Sequence, residues 1–271
     1  MRLEKNGDLQ VIDLLIKEKE VTLSFSNGKE IDVTINAYLS VGPFSNGQVI
    51  SKETYDSLIY NDKKERLLNK SYQILSKKLL SCAKLKEQLL KISDDLDLIS
   101  EVIKRLIEKG YLNDLDYSLN KTQDYFNKLK GFEYIKASLT RDGISENIIN
   151  IVRDKFSRQF EEKKAIEIAQ KQFKIQRGKS HQQKLLSVYN NLLQRGFSVE
   201  CSENAINSIK LSYNKEEERE NAIKDLMKLK KKYSKLPNKR LVYNKIYQGM
   251  LSKGYRSNII MEVLKEVESD D

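Results

Sequence analysis

The sequence predicts a mainly α-helical protein, built from tandem three-helix repeats in an elongated, curved array, with a small β-hairpin segment at the N-terminus. Two observations lead to this prediction. An Asn-Gly pair near the N-terminus separates two runs of alternating apolar residues. Further along, apolar helix-like runs end four times in a glycine followed by a bulky apolar residue, at Gly110-Tyr111, Gly143-Ile144, Gly196-Phe197 and Gly254-Tyr255.

The N-terminal segment contains the signals of β-strands. Apolar and polar residues alternate over residues 21–25 and again over residues 31–35, on either side of Asn27 and Gly28. Because Asn-Gly pairs adopt the positive φ angles of tight hairpin turns, this pattern predicts a β-hairpin. The apolar run Leu9–Ile16 is expected to add a third strand.

Helices are predicted to follow this segment. Ser51 has the character of a helix N-cap, and Glu53 lies in the first turn, where the helix dipole favours a negative charge. A helix is therefore expected from about Lys52, and only helices are expected beyond Lys64.

The four glycine endings define the repeats. A glycine after the last apolar turn can adopt the left-handed conformation that ends a helix, and the bulky residue after it can pack back on that turn. Since the same punctuation recurs four times, it indicates a repeat architecture, with three helices in each unit of about 50 residues. The predicted segments are 1–60 (hairpin and first helix start) and the repeats 61–112, 113–160, 161–213 and 214–271. In each repeat a β-branched residue lies eight positions before the glycine: Val102, Ile135, Val188 and Ile246.

Composition excludes several classes of protein. The 271 residues are 39% hydrophobic and 32% charged, with two prolines, a mixture that favours a well-solvated helical protein. No apolar run approaches the length of a membrane-spanning helix, and the polar N-terminus has no signal-peptide character. Cys82 and Cys201 are isolated, which predicts no disulfide and a cytoplasmic location.

Charge is distributed unevenly along the chain, whose formal net charge is +10. Residues 1–60 carry six basic and nine acidic residues, and the remainder carries 43 basic and 30 acidic residues. Residues 168–199 and 226–261 contain no acidic residue. Because each of these tracts leads into a glycine ending, they predict one basic surface that faces a polyanion.

We define this predicted basic surface by its charged residues. Those of the third repeat are Lys171, Lys174, Arg177, Lys179, Lys184 and Arg195. Those of the fourth repeat are Lys228, Lys231, Lys232, Lys235, Lys239, Arg240, Lys245, Lys253 and Arg256. Four tyrosines, at positions 233, 243, 247 and 255, lie among the latter. They can either stack on unpaired bases or pack in the core, and the helical spacing of Tyr243 and Tyr247 beside Ile246 favours the core.

No motif predicts catalysis, a metal or a cofactor. The aspartates at positions 94, 95, 97, 114 and 116 lie where helices should begin, so capping explains them better than metal binding does. His181 is the single histidine, and neither cysteine stands at ligand spacing to it. Gly178-Lys179-Ser180 has the end of a phosphate-loop pattern but lacks its first glycine and a preceding strand, which indicates a connection between helices.

Four motifs in the first half of the chain follow one another in a fixed order: 81–89 (Ser-Cys-Ala-Lys-Leu-Lys-Glu-Gln-Leu), 102–114 with its Lys-Gly-Tyr-Leu-Asn-Asp ending, 130–139 and 141–145. This set resembles the RecX family, bacterial regulators of the RecA recombinase. The motifs occur in the family's order and spacing, and the hairpin and the extra repeats are similar to longer members. Two positions depart from the family pattern: Lys84 replaces a glutamate, and Phe132 replaces a proline.

The resemblance implies a function that composition alone does not give. It implies a regulator without an active site that lies along the groove of the RecA filament on single-stranded DNA. It further implies an effect, most often inhibition, on ATP hydrolysis, strand exchange and co-protease activity. The expected partners are the RecA filament and the single-stranded DNA on which it forms, with the protein acting as a monomer away from membranes. The alternative is a helical-repeat protein that binds nucleic acid without RecA.

Overall fold

The computed structural model describes residues 7–210 and 213–269. Within these ranges the chain forms four strands and thirteen helices. The structure divides into two compact units. Unit 1 contains the chain up to Tyr117 together with Asp142–Ile144, and unit 2 contains Ser118–Arg141 and the chain from Ser145 onward. No helix in the described ranges combines the length and apolar character that a bilayer crossing requires.

Unit 1 begins with a small antiparallel sheet. Its strands lie in the order β3-β2-β1-β4 and have the bounds Leu9–Ile16 (β1), Glu20–Phe25 (β2), Glu30–Thr34 (β3) and Val49–Ile50 (β4). The predicted hairpin and third strand are confirmed. Gly28 has φ of 78°, as the tight turn requires, and the Phe25 amide closes the turn on the carbonyl of Lys29 at 2.9 Å.

The strand predicted through residue 35 ends one residue earlier, because Ile35 begins a short helix, α1 (Ile35–Val41). The side-chain carboxylate of Asp62 accepts a hydrogen bond from the Thr34 amide at 2.6 Å. The Tyr38 hydroxyl accepts from the Phe44 amide at 2.9 Å and donates to the Phe44 carbonyl at 3.1 Å. A contact with the distant Asp62 and a local pair between Tyr38 and Phe44 therefore hold this helix in place.

Twelve further helices follow in four sets of three, which we call helical groups 1 to 4. Group 1 contains α2 (Lys52–Leu75), α3 (Cys82–Leu89) and α4 (Leu96–Glu108). Group 2 contains α5 (Asp114–Asn127), α6 (Phe132–Arg141) and α7 (Glu146–Lys155). Group 3 contains α8 (Arg158–Ile175), α9 (His181–Gln194) and α10 (Val199–Lys210). Group 4 contains α11 (Lys215–Tyr233), α12 (Lys239–Ser252) and α13 (Ser257–Ser269).

The fold class predicted from the sequence is thus confirmed: the described chain is mainly helical, with tandem three-helix repeats after a small sheet. Residues 211 and 212, inside the predicted third repeat, lie outside the described residues. Two predicted caps are also confirmed. The Ser51 hydroxyl accepts from the Thr54 amide at 3.2 Å, and the Asp95 carboxylate accepts from the Leu98 amide at 3.0 Å.

Separate apolar clusters stabilise these elements. In unit 1, one cluster lies between the sheet, α1 and the start of α2, and includes the buried side chains of Phe25 and Leu58. A second unites the helices of group 1 around Ile99. Unit 2 has one cluster within group 3, around Leu192, and another within group 4, around Met250. Each set of three helices in these regions buries its own apolar residues.

The four predicted glycine endings all adopt the left-handed conformation, with φ between 76° and 84°. Schellman-type bonds are present after α4, α9 and α12, where the amide following the glycine donates to the carbonyls of Leu106, Leu192 and Met250. However, the equivalence predicted for Gly110 is wrong. Gly110 follows the third helix of its group, whereas the other three glycines follow the second helix. In group 1 the second helix, α3, ends without a glycine.

Candidate interaction surface and the junctions that position it

A recurring junction links the start of a second helix to the main chain just before a helix-ending glycine. At the start of α3 the Ser81 hydroxyl donates to the carbonyl of Asp142 at 2.6 Å, and at the start of α9 the Ser180 hydroxyl donates to the carbonyl of Lys253 at 2.5 Å. At the start of α6 the backbone amide of Gly131 takes this role and donates to the carbonyl of Arg195 at 2.9 Å. In each case the acceptor immediately precedes a helix-ending glycine.

A carboxylate completes each junction. The first amide of the helix donates to a side chain from the first helix of the next group. The three pairs are Cys82 with Asp114 at 2.8 Å, Phe132 with Glu161 at 2.8 Å and His181 with Glu218 at 2.6 Å. These acids satisfy amides that a helix N-terminus leaves unpaired, and the helix dipole favours their charge.

Glycine is required at two of the junctions, at Gly143 and Gly196, because the chains approach closely there. A Cβ atom on Gly143 would lie 2.4 Å from the Cβ of Ala83, and one on Gly196 would lie 2.4 Å from the backbone nitrogen of Tyr134. By contrast, a Cβ on Gly110 would meet nothing within 4 Å. The sequence pattern predicts these glycines only as helix ends, because it carries no signal of their second role as contact points. Gly110, which follows the third helix of its group, is therefore not a contact point of this kind.

Within group 4, part of the predicted basic surface forms a continuous exposed set. Its members lie at the end of α11, in the α11–α12 connection and in the first turn of α12: Lys231, Lys232, Lys235, Lys239 and Arg240. We call these five residues the group 4 cluster. No ion pair in the described ranges involves any of them. Cations at a helix N-terminus, such as Lys239 and Arg240, oppose the helix dipole, so stability does not explain their position.

The other cations of group 4 have varied surroundings. Lys228 and Lys253 both pair with the buried carboxylate of Asp225, at 3.3 Å each. Arg256 lies over the ring of Tyr213, 5.7 Å from its centroid, and Lys245 is exposed on α12. Lys228 and Lys253 are therefore partly neutralised, in contrast to the group 4 cluster.

In group 3, Lys171, Lys174 and Arg177 are exposed on α8 and just after it. Lys179, in the connection to α9, donates to the side chain of Gln176 at 3.1 Å. This position confirms that Gly178-Lys179-Ser180 is a connection between helices, with Ser180 as the N-cap of α9. Exposed cations thus lie together around the end of α8.

Two residues predicted to belong to the basic surface, Lys184 and Arg195, interact with other groups of the protein. Lys184 is buried, its ammonium group pairs with Glu217, and it lies over the ring of Phe173. The Arg195 guanidinium donates to Asn191 at 2.8 Å and to the carbonyl of Leu129 at 3.4 Å. Lys184 therefore does not belong to an exposed basic surface. Its pairing with Glu217 offsets the cost of burying the ammonium group.

The tyrosines among these cations differ in exposure, which separates those packed in the core from those with a ring available for stacking. Tyr255 is buried, and its hydroxyl donates to Asp225 at 3.1 Å, which is core packing. Tyr233 and Tyr247 are half-buried against the buried apolar residues around Met250. Tyr243 is 37% exposed and stacks on Tyr247 with ring centroids 6.3 Å apart. One face of the described fourth repeat therefore offers an exposed aromatic ring beside cations.

The remaining candidate groups have surroundings that disfavour reactivity. Burial raises the pKa of the Cys82 and Cys201 thiols to about 11. Burial, with help from Arg256, lowers the pKa of His181, whose ring lies between Phe173 and Tyr213. Within residues 7–210 and 213–269, no three His, Cys, Asp or Glu side chains are grouped so that they could hold a metal ion.

The described fold is that of a helical-repeat protein with exposed cations in its third and fourth groups, and comparisons with known proteins are specific. No protein-family model matches the chain. Proteins named "Regulatory protein RecX" do. The one from Leuconostoc citreum is 24% identical over 83% of this chain and 85% of its own length. One from Listeria monocytogenes serotype 4b is 26% identical over 82% of each.

Solved structures share the fold. A crystal structure of regulatory protein RecX superposes with a TM-score of 0.62 and 18% identity, over 72% of this chain and 97% of that one. RecX from Lactobacillus salivarius superposes with a TM-score of 0.52 and 25% identity, over 55% of this chain and 98% of that one. The resemblance predicted from the motifs is confirmed: the chain is related to the RecX regulatory proteins in sequence and in fold.

Proposed function

We propose that this protein binds the RecA filament on single-stranded DNA and lowers its recombinase, ATPase and co-protease activities. The relationship to RecX regulatory proteins over more than four fifths of the chain supports this proposal. In this function the chain acts as a monomer and as a regulator without catalysis of its own. Its place of action is the cytoplasm, where its two free thiols remain reduced.

The single observation that supports a binding mechanism is the group 4 cluster. Five exposed cations follow one another along the end of α11 and the start of α12, and no carboxylate of the described chain pairs with them. In the predicted third repeat (161–213), the exposed cations Lys171, Lys174 and Arg177 add to the same attraction. Such charges bind phosphates or acidic protein surfaces, and contacts at several sites give an affinity that no single contact could provide.

The test measures ATP hydrolysis by RecA on single-stranded DNA while this protein is added below the RecA concentration. A substoichiometric fall is expected for the unmodified chain. Charge reversal at Lys231, Lys232, Lys239 and Arg240, each to Glu, should greatly weaken filament binding and this inhibition. A matched variant reverses four exposed lysines of group 1, namely Lys77, Lys78, Lys104 and Lys109, and should retain more activity at the same net charge.

Two results would contradict the proposal. Equal inhibition by the two fourfold variants would show that the group 4 cluster has no special part. The absence of any effect on RecA, combined with tight and salt-sensitive binding to the same DNA alone, would instead indicate a RecA-independent nucleic-acid-binding protein. The exposed Tyr243, stacked on Tyr247 beside the cations, is the feature that favours this second function.

A further inference from the structure

Helix α9 has an unusual surface for this chain. The protein is 32% charged, yet among the 14 residues of α9, with its histidine neutral, only Lys184 is charged, and Lys184 is buried. The solvated face of a surface helix normally carries charged residues. The exposed side of α9 therefore presents uncharged polar groups where the rest of the chain presents charges.

These polar groups form one stripe along a groove. Their spacing of three and four residues places them on one side of the helix: Gln183, Ser187, Asn190, Asn191 and Gln194. Gln172 of α8 and Lys179 of the connection also line this groove, which has a volume of about 540 Å³. Volumes of about 300–1,000 Å³ are usual for ligand sites. The carboxamide of Asn191 is held in place by the hydrogen bond that it accepts from Arg195.

A row of carboxamides matches the main chain of an extended peptide. Each carboxamide offers both donors and an acceptor, as each peptide unit does. No aromatic ring lies among the described residues that line the groove, so a stacking platform for unpaired bases is missing there. The exposed Leu186 adds an apolar side chain to the lining. These properties favour a peptide over a single-stranded nucleic acid.

The positive charge around the groove favours an acidic peptide. The groove lies inside the tract 168–199, which has no acidic residue, and Lys179 lies in its lining. Lys171 and Arg177 are exposed on the neighbouring part of group 3. We propose that the groove between α8 and α9 binds an extended, acidic peptide segment of a partner protein. The carboxamides bind the peptide main chain, and the cations bind its carboxylates.

The test uses the full-length protein without RecA, so its outcome is independent of the proposed function. Fluorescence anisotropy measures the binding of a fluorescein-labelled oligo-glutamate peptide. The double variant Asn190→Ala and Gln194→Ala should weaken binding about thirtyfold, as expected for the loss of two neutral hydrogen bonds. Alanine is a strong helix former, so α9 should persist, which circular dichroism verifies.

The matched control is Asn204→Ala with Asn207→Ala, which removes two exposed carboxamides of α10 in the same group and should leave binding unchanged. A second probe carries a methyl group on every other backbone nitrogen of oligo-glutamate. It keeps the charge, loses half of the main-chain donors and should bind much more weakly. Equal binding of both peptides, equal effects of the two double variants, or tighter binding of oligo-thymidylate to the groove would overturn the proposal.

Discussion

Substituting Gly196 with alanine tests whether the helix-ending glycines are contact points between successive groups. The new Cβ would lie 2.4 Å from both the Cβ and the backbone nitrogen of Tyr134, so the start of α6 and the end of α9 would have to separate. The matched substitution is Gly110→Ala. Gly110 has a similar φ, 76° against 84°, but a Cβ there has open space around it.

The expected loss of stability follows from the surroundings of the two glycines. Both substitutions place a Cβ in the left-handed region, which costs about 1–2 kcal/mol. At Gly196, separation also threatens two hydrogen bonds, from the Gly131 amide to the Arg195 carbonyl at 2.9 Å and from the Glu133 amide to the Gly196 carbonyl at 3.0 Å. At about 1 kcal/mol each, their loss adds about 2 kcal/mol. The expected destabilisation is thus about 3–4 kcal/mol for Gly196→Ala.

Thermal and urea unfolding, followed by circular dichroism, provide the assay. The additional 2 kcal/mol, about 4–8 °C in the melting temperature, should separate Gly196→Ala from Gly110→Ala. Hydrogen exchange should show faster exchange at the amides of Gly131 and Glu133 in Gly196→Ala alone. If both variants lose the same stability, the close approach at the junction contributes nothing, and the reasoning is refuted.

Three further predictions concern buried groups. Glu217→Gln should lower the free energy of unfolding by about 2 kcal/mol, because it leaves the buried ammonium group of Lys184 without a charged partner. Lys184→Met should lower it less and leave filament binding unchanged. Urea unfolding and filament-binding assays compare the two variants. Iodoacetamide should alkylate the half-buried Cys82 and the buried Cys201 slowly at pH 8, since the pKa of each thiol is about 11. Both thiols should react quickly in urea, and fast labelling of the folded chain would contradict the prediction. Burial raises the pKa of Glu218 above 4.5, so the folded state holds its proton more tightly, and stability should fall as pH rises above about 4.5. Glu218→Gln should flatten this dependence in urea titrations, and an unchanged slope would refute it.

Features that depend on neighbouring residues were predictable from the sequence. The Asn27-Gly28 turn, the caps at Ser51 and Asp95 and the left-handed glycines result from local backbone preferences, and the structure confirms each. The helix α1 was missed because its position depends on distant contacts, such as that of Asp62 with the Thr34 amide. Local propensity gives no signal for such contacts.

The candidate site was predictable only in part. The absence of acidic residues identified the exposed cations of groups 3 and 4, but it did not distinguish Lys184, whose partner Glu217 lies in the next group. The junction acids Glu161 and Glu218 were missed because their acceptor role depends on packing between groups. The polar stripe of α9 was detectable, since residues 183, 187, 190, 191 and 194 have helical spacing and carry no charge.

The junctions also bear on how such a protein can change its length during evolution. Each one consists of a main-chain carbonyl, a main-chain amide, one short cap and one carboxylate, so it demands little of the remaining side chains. A duplicated or deleted set of three helices would meet the same acceptors and donors as its predecessor. In-frame duplication could therefore lengthen the chain without a new kind of interface. Most surface positions would remain free to change.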